Sequence, residues 1–278
     1  MQWIKIFDFS NPWPTTVIVW LVHGDEIVGK KSIQYLHSQI KKSSWIRWKI
    51  ITLYANPKAH KIDKRFIDHD LNRAFDLAHY LESYEISRAN QIKKFFQNID
   101  IDYMFDLHST SSKSDPMILC TSQKSSLKFA SKMPIKHVIQ WLIDIVEWTS
   151  LLRYFQKKIK LWMAFECWCH KDQSTIQVWK QIIDTILSFH QAEKIKKNPD
   201  QIKIQITDIV LTSDPKFKFT KAYKWFEKLK KWEIRWMDKS WKHSFKKSKI
   251  LVMPNLAIKS ELEKKDKVWV AYFWDIIK

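Results

Sequence analysis

The sequence predicts an α/β fold with a small C-terminal β domain, and two observations predict it. Up to about residue 197, strand-like apolar runs alternate with helical periodicity, the pattern of a sheet flanked by helices. Beyond a break at Lys196-Lys197-Asn198-Pro199-Asp200, only short strand patterns remain. The predicted domains are 1–197 and 198–278, and a chain of 278 residues holds ample apolar residue for a core.

The first strong element, residues 15–22, is an apolar, β-branched run that ends at His23-Gly24-Asp25-Glu26. An imidazole and a carboxylate three residues apart at a strand's end can face one centre, and both are natural zinc ligands. The same spacing suits a surface salt bridge or a helix cap. Helical periodicity follows to about Lys42, and residues 45–54 read as a second strand. Residues 56–75 are polar and rich in Asn, Asp and Pro, and they hold Arg65 and Arg73. These are two of only six arginines among 48 basic residues. In a lysine-biased chain, an arginine marks either a place that needs the planar guanidinium fork or an ordinary surface ion pair.

Residues 76–97 read as a helix with Leu81, Ile86, Ala89, Ile92 and Phe96 facing inward. A buried strand at 101–105 then runs into Asp106-Leu107-His108-Ser109-Thr110, predicted as an active-site loop. Asp106 is placed either to orient an imidazole or to form a turn. A short helix begins in 148–155, residues 160–170 read as a strand that presents Glu166, and 173–194 as a helix. Short strands are predicted at 202–211, 216–223, 233–237, 250–254 and 268–273.

Composition narrows the function classes. No run of about 18 apolar residues predicts a membrane span. The N-terminal residues do not have the long apolar stretch of a signal peptide. Three cysteines, an odd count, do not suggest a disulfide framework, and a reducing cytoplasm is the predicted address. The net charge of +19 comes mostly from scattered lysines, as an AT-rich genome would encode, so no specific nucleic acid is predicted as partner. A basic surface still binds polyanions without specificity.

Two glycines and 16 tryptophans form an anomaly. Average usage of roughly 7% would give about 19 glycines. The tryptophans also stand where glycine belongs, in turn-like stretches at Trp13, Trp232 and Trp241. Most of these positions are therefore read as UGA codons that the host translates as glycine; the alternative is a truly tryptophan-rich protein with aromatic binding platforms. Indoles at Trp20, Trp162 and Trp168 are expected to crowd the active site.

The segments His23-Gly24-Asp25-Glu26, Asn56-Pro57, Arg65-Phe66-Ile67-Asp68, Asp70-Leu71-Asn72-Arg73-Ala74-Phe75 and Asp106-Leu107-His108-Ser109-Thr110 stand in an order and spacing that resembles the succinylglutamate desuccinylase/aspartoacylase family. The resemblance implies an α/β fold of the zinc-peptidase kind, a mixed sheet flanked by helices. It implies one zinc ion per chain on His23, Glu26 and His108, with a fourth position open for water. It implies Glu166 as catalytic base and Arg65 as oxyanion stabiliser, with Asn72, Arg73 and His170 on the substrate. Aspartoacylases carry an arginine ten residues before the catalytic glutamate, where this chain has Gln156. The implied reaction is therefore hydrolysis of the amide bond of an N-acyl amino acid or a related small acylated amine, with acetylaspartate set aside. A carboxypeptidase-like peptidase and an inactive, polyanion-binding relative are the alternatives.

Overall fold

The computed structural model describes residues 3–9, 14–75, 82–110, 114–140, 150–169, 175–189, 195–214, 217–220, 223–224, 226–229, 236–237, 242–243, 249–252 and 268–276. They fall into two compact units that divide between Gln201 and Ile202.

In the first unit the described strands are β1 (Ile4–Phe7), β2 (Thr15–Trp20), β3 (Lys49–Tyr54), β4 (Ile101–Thr110), β5 (Met117–Cys120), β6 (His137–Gln140) and β7 (Ile159–Cys169). They lie side by side in the order β1-β3-β2-β4-β7-β5-β6. The centre, β3-β2-β4-β7, is parallel, while β1 and β5 run antiparallel to their neighbours β3 and β7, so the sheet is mixed. The helices are α1 (Val28–Lys42), α2 (Pro57–Lys61), α3 (Tyr84–Phe95), α4 (Lys124–Ala130), α5 (Leu151–Phe155) and α6 (Thr175–Phe189), with a 3-10 turn at Leu71–Arg73. Central strand β2 reads as an apolar run from Val17 to Trp20, and β4 is buried along nearly its whole length, because both faces of the sheet are covered. The inner face of α1, with Ile33, Leu36 and Ile40, packs with Ile182, Ile183 and Ile186 of α6 and with Phe105 and Phe165 of the sheet.

Helix α3 starts later than the periodicity predicts, at Tyr84, because the Ser83 side chain accepts the Ile86 amide and caps it there. Ile86, Ala89, Ile92 and Phe96 are buried as expected; Leu81 and the rest of 76–81 lie outside the described residues. The stretch 106–110 is a correction: it is not a loop but the continuation of β4, paired with β7 through His108 and Thr110. Polar residues persist inside this strand because Asp106 Oδ2 meets His108 Nε2, while His108 Nδ1 and the Ser109 amide meet Glu26.

The second unit is all β among its described residues. Strands β8 (Ile202–Thr212), β14 (Val268–Ile276), β13 (Lys249–Val252) and β10 (Glu227–Leu229) form an antiparallel array. A separate three-stranded array joins β12 (Lys242–His243), β11 (Trp236–Met237) and β9 (Lys218–Phe219).

Candidate metal centre

Three neighbouring parallel strands deliver the site. The chain leaves β2 through Leu21, whose backbone is left-handed (φ 53°) although the side chain is fully buried. Such a conformation costs a bulky residue about 1–3 kcal/mol and is held only where its surroundings over-determine it. Here the Asn56 amide donates to the Leu21 carbonyl at 2.9 Å. The strain turns the chain into His23-Gly24-Asp25-Glu26, ahead of α1. On the neighbouring strand, Leu107 pairs with Trp20, and His108 follows it. On the next strand, Glu166 is the register partner of His108. Register partners on adjacent strands present their side chains to the same face, so Glu166 stands beside His108.

His23, Glu26 and His108 are all buried, and one ligand-type atom of each lies within 4.8 Å of the others. Nδ1 of His23 is 2.6 Å from Glu26 Oε1, and Nδ1 of His108 is 3.1 Å from Glu26 Oε2. The two rings are 5.0 Å apart. The Ser109 amide also donates to Glu26 Oε2 at 3.1 Å.

Each imidazole turns its far nitrogen to another carboxylate. Nε2 of His23 meets Asp70 Oδ1 at 3.1 Å, and Nε2 of His108 meets Asp106 Oδ2 at 3.0 Å. Burial and the Arg65 charge oppose protonation of His23, but Asp70 and Glu26 outweigh them and its pKa rises. Burial likewise opposes a charged His108, yet Asp106 and Glu26 carry its pKa well above the ordinary histidine value. Burial disfavours an ionised Glu26, and the two imidazoles reverse that and lower its pKa. At Glu166 burial prevails: it pushes the carboxyl up to about 7, with the Glu26 charge adding, although His108, His23 and Arg65 pull the other way.

The donor set suits a divalent ion. Two imidazole nitrogens and one carboxylate oxygen converge, and each far nitrogen is tied to a carboxylate that fixes ring and tautomer. Asp106 is thus an imidazole partner rather than a turn former. Asp70 was missed as the equivalent partner of His23. Its carboxylate reaches the site only because the 65–70 loop folds back across 47 residues, which no local pattern announces.

The other predicted residues surround the trio. Arg65 Nη2 donates to Asp70 Oδ2 at 3.1 Å while its side chain stays 42% exposed. Asn72 Nδ2 is 3.5 Å from His108 Nε2, and its Oδ1 accepts the Leu151 amide at 3.3 Å, which ties α5 to the site. Arg73 Nη1 donates to the Asn72 carbonyl at 3.3 Å. His170 lies outside the described residues. Gln156 lines a cavity of about 500 Å³ with Lys157, Lys160 and Trp162. Trp162 stands four residues before Glu166 on β7, roughly 13 Å along the strand at about 3.3 Å per residue. Trp162 therefore does not crowd the centre, contrary to expectation, and Trp20 stacks on Tyr54 at 4.5 Å. Of Trp168, the structure describes only the strand backbone.

Residues 12–146 match the family model for the succinylglutamate desuccinylase/aspartoacylase catalytic domain. A probable aspartoacylase of Nostoc sp. is 34% identical over 116 residues, 38% of this chain and 38% of that protein. An N-acyl-aromatic-L-amino acid amidohydrolase (carboxylate-forming) of Xenopus laevis is 32% identical over 121 residues, 40% of this chain and 39% of that protein. The chain thus aligns with about two fifths of the length of these relatives. Among solved structures, succinylglutamate desuccinylase of Vibrio parahaemolyticus superposes with a TM-score of 0.82, covering 100% of this chain and 87% of that one at 16% identity. Murine aminoacylase 3 gives 0.70, covering 96% of each chain at 16% identity. These last two likenesses establish the fold: the α/β architecture predicted from sequence is that of the solved desuccinylases. Residues 12–146, which hold the His23, Glu26 and His108 cluster, are thus similar to the catalytic domain of the succinylglutamate desuccinylase/aspartoacylase family.

Proposed function

We propose that the chain is a zinc-dependent deacylase that hydrolyses the amide bond of an N-acyl amino acid or a related small acylated amine. The observation that carries this reading is the buried convergence of His23, Glu26 and His108 beside Glu166. The names of the sequence relatives, aspartoacylase and N-acyl amino acid amidohydrolase, point to the same chemistry.

His23, Glu26 and His108 hold the metal in this reading, one ion per chain, and catalysis belongs to the first unit. A bound zinc ion supplies Lewis acidity and lowers the pKa of a water ligand toward neutrality. Asp70 and Asp106 fix the two imidazoles. Glu166 takes the proton of the attacking water and returns it to the leaving amine, a task suited to a carboxyl whose pKa is near the working pH. Arg65, half in solvent and beside Asp70, is free to pair with the oxyanion as it forms; loss of such a donor costs about 10²–10³ in rate. Asn72 and Arg73 receive the substrate's carboxylate or carbonyl, with His170 as a further contact.

A screen of N-acyl amino acids beside short peptides, with zinc present, tests the reading. Release of carboxylate from the N-acyl amino acids, with the peptides left intact, is the expected result. Cleavage of peptides alone would assign a peptidase. Hydrolysis of neither, with salt-sensitive retention of RNA, would assign a polyanion binder.

No described helix is long and apolar enough to cross a membrane. The buried Cys167 is in no disulfide, which supports a reducing cytoplasm as the address. The recoding of UGA as glycine is supported by Trp179. This side chain is 1% exposed inside α6, and its Nε1 has no hydrogen-bond partner. A buried unpaired donor costs about 1–3 kcal/mol, which a glycine at this position would not incur. The positive-φ signature of misplaced glycines is not found among the described tryptophans: the left-handed non-glycines are Leu21, Asp63 and Phe226. Trp13, Trp225, Trp232 and Trp241 lie outside the described residues. The intact mass of the protein purified from its own host decides between the two compositions.

A further inference from the structure

We propose that Glu85 is a positioning residue for the metal centre, acting through the loop that carries Arg65 and Asp70; this rests on the deacylase reading above. Glu85 sits in the first turn of α3 and is fully buried. A buried carboxylate is costly unless its oxygens are filled with donors. Here four donors fill them. The Ile67 amide donates to Oε1 at 2.8 Å, and the Asp68 and His69 amides donate to Oε2 at 3.0 and 3.2 Å. The fourth donor is Asn56 Nδ2, at 3.2 Å from Oε1.

Both halves of this arrangement lead to His23. The loop that Glu85 grips has Arg65 on one side and Asp70 on the other. The Arg65 carbonyl accepts the Gly24 amide at 3.1 Å, and Asp70 holds the far nitrogen of His23. Asn56, fully buried, donates its own amide to Leu21, the left-handed residue that turns the chain into the site. The latch closes from the other side as well. Asp68, gripped through its amide, returns its carboxylate Oδ2 to the Tyr84 amide at 2.8 Å. Two carboxylates thus cross between loop and helix, and neither touches the metal trio. A glutamate in a helix's first turn is ordinarily explained by the helix dipole alone. Three successive loop amides aimed at one carboxylate are not.

The test compares the full chain with Glu85→Gln and Glu85→Asp. Glutamine keeps the size of the side chain but turns an N–H₂ toward backbone donors. The expected result for Glu85→Gln is rapid hydrogen exchange at the 67, 68 and 69 amides in the metal-free protein. Zinc affinity should weaken about tenfold, as when the outer partners of metal-bound histidines are lost. The kcat should fall about 100-fold with KM changed far less, as a misplacement near 1 Å produces. Glu85→Asp, which keeps the charge, should recover part of the kcat. A purely structural role would lower the melting temperature and leave zinc affinity and kcat of the folded fraction unchanged; that result overturns the proposal. If Glu85→Gln does not fold, exchange in the unsubstituted chain decides. Amides 67–69 that open together with that of Tyr84 support the latch, and fast independent exchange overturns it. If the unsubstituted chain hydrolyses no N-acyl amino acid, the deacylase reading falls, while amide exchange and zinc affinity still judge the latch.

Discussion

Alanine at position 24 is expected to leave the chain without a metal centre. A Cβ on Gly24 would lie 2.3 Å from the Ala59 carbonyl carbon, 2.3 Å from the His60 amide nitrogen and 2.5 Å from the Lys64 oxygen. All three are backbone atoms, so no side-chain rotation relieves the clash. Gly24 is also held on both sides: its amide donates to Arg65, and the His60 ring nitrogen Nδ1 lies 2.9 Å from its carbonyl. To admit one methyl group, α2 and the 64–65 backbone must move away from His23 together. A loss of more than about 3 kcal/mol is expected, in the range reserved for backbone clashes and broken networks. Gly29→Ala is the internal control. Its Cβ would meet nothing closer than 3.7 Å, and alanine is the better helix former, so the expected change lies between zero and about 1 kcal/mol of stabilisation. Urea unfolding of the two variants measures the contrast. Equal midpoints would mean that the close approach at Gly24 is not real.

Glu166→Gln is expected to remove catalysis and spare the metal. Glu166 faces the trio from the adjacent strand but is not one of its three members. Removal of a general base costs about 10²–10⁴ in rate. Zinc affinity should not weaken, since the ligands and their carboxylate partners stay in place. The same group sets an acid limb. The base works ionised, so kcat/KM should fall as pH drops through the Glu166 pKa, about tenfold per unit below it. Without metal that pKa is about 7, from burial and the Glu26 charge. A cation on the trio would favour the ionised form, so the inflection in the loaded enzyme belongs at or below 7. Glutamine at 166 should abolish that limb. A rate that stays flat down to pH 5, or a Gln variant that keeps full activity, would remove Glu166 from this role.

The parts of the site that were legible in the sequence are those carried by strands. A strand's end fixes where a side chain emerges, and parallel neighbours bring their ends together, so His23, His108 and Glu166 converge as their positions in the pattern imply. The inward faces of α1 and α3 were legible for the same reason, since periodicity reports burial. What escaped was set by long-range closure. Asp70 is adjacent to His23 only because the polar 56–75 segment folds back. Glu85 reads locally as an ordinary helix-start glutamate, and its three loop amides come from residues 16 to 18 positions away. The extent of β4 was misjudged because Asp106, His108 and Ser109 look too polar for a strand. In the fold they are buried, with Asp106 and the Ser109 amide bonded to His108 and Glu26.

Zinc content measures the central claim most directly. The purified chain, saturated with zinc and freed of excess, is expected to hold one ion per chain by elemental analysis. His23→Ala and His108→Ala are each expected to hold none under the same treatment. Zinc retained in full by both variants, or no zinc in the unsubstituted chain, would contradict the account.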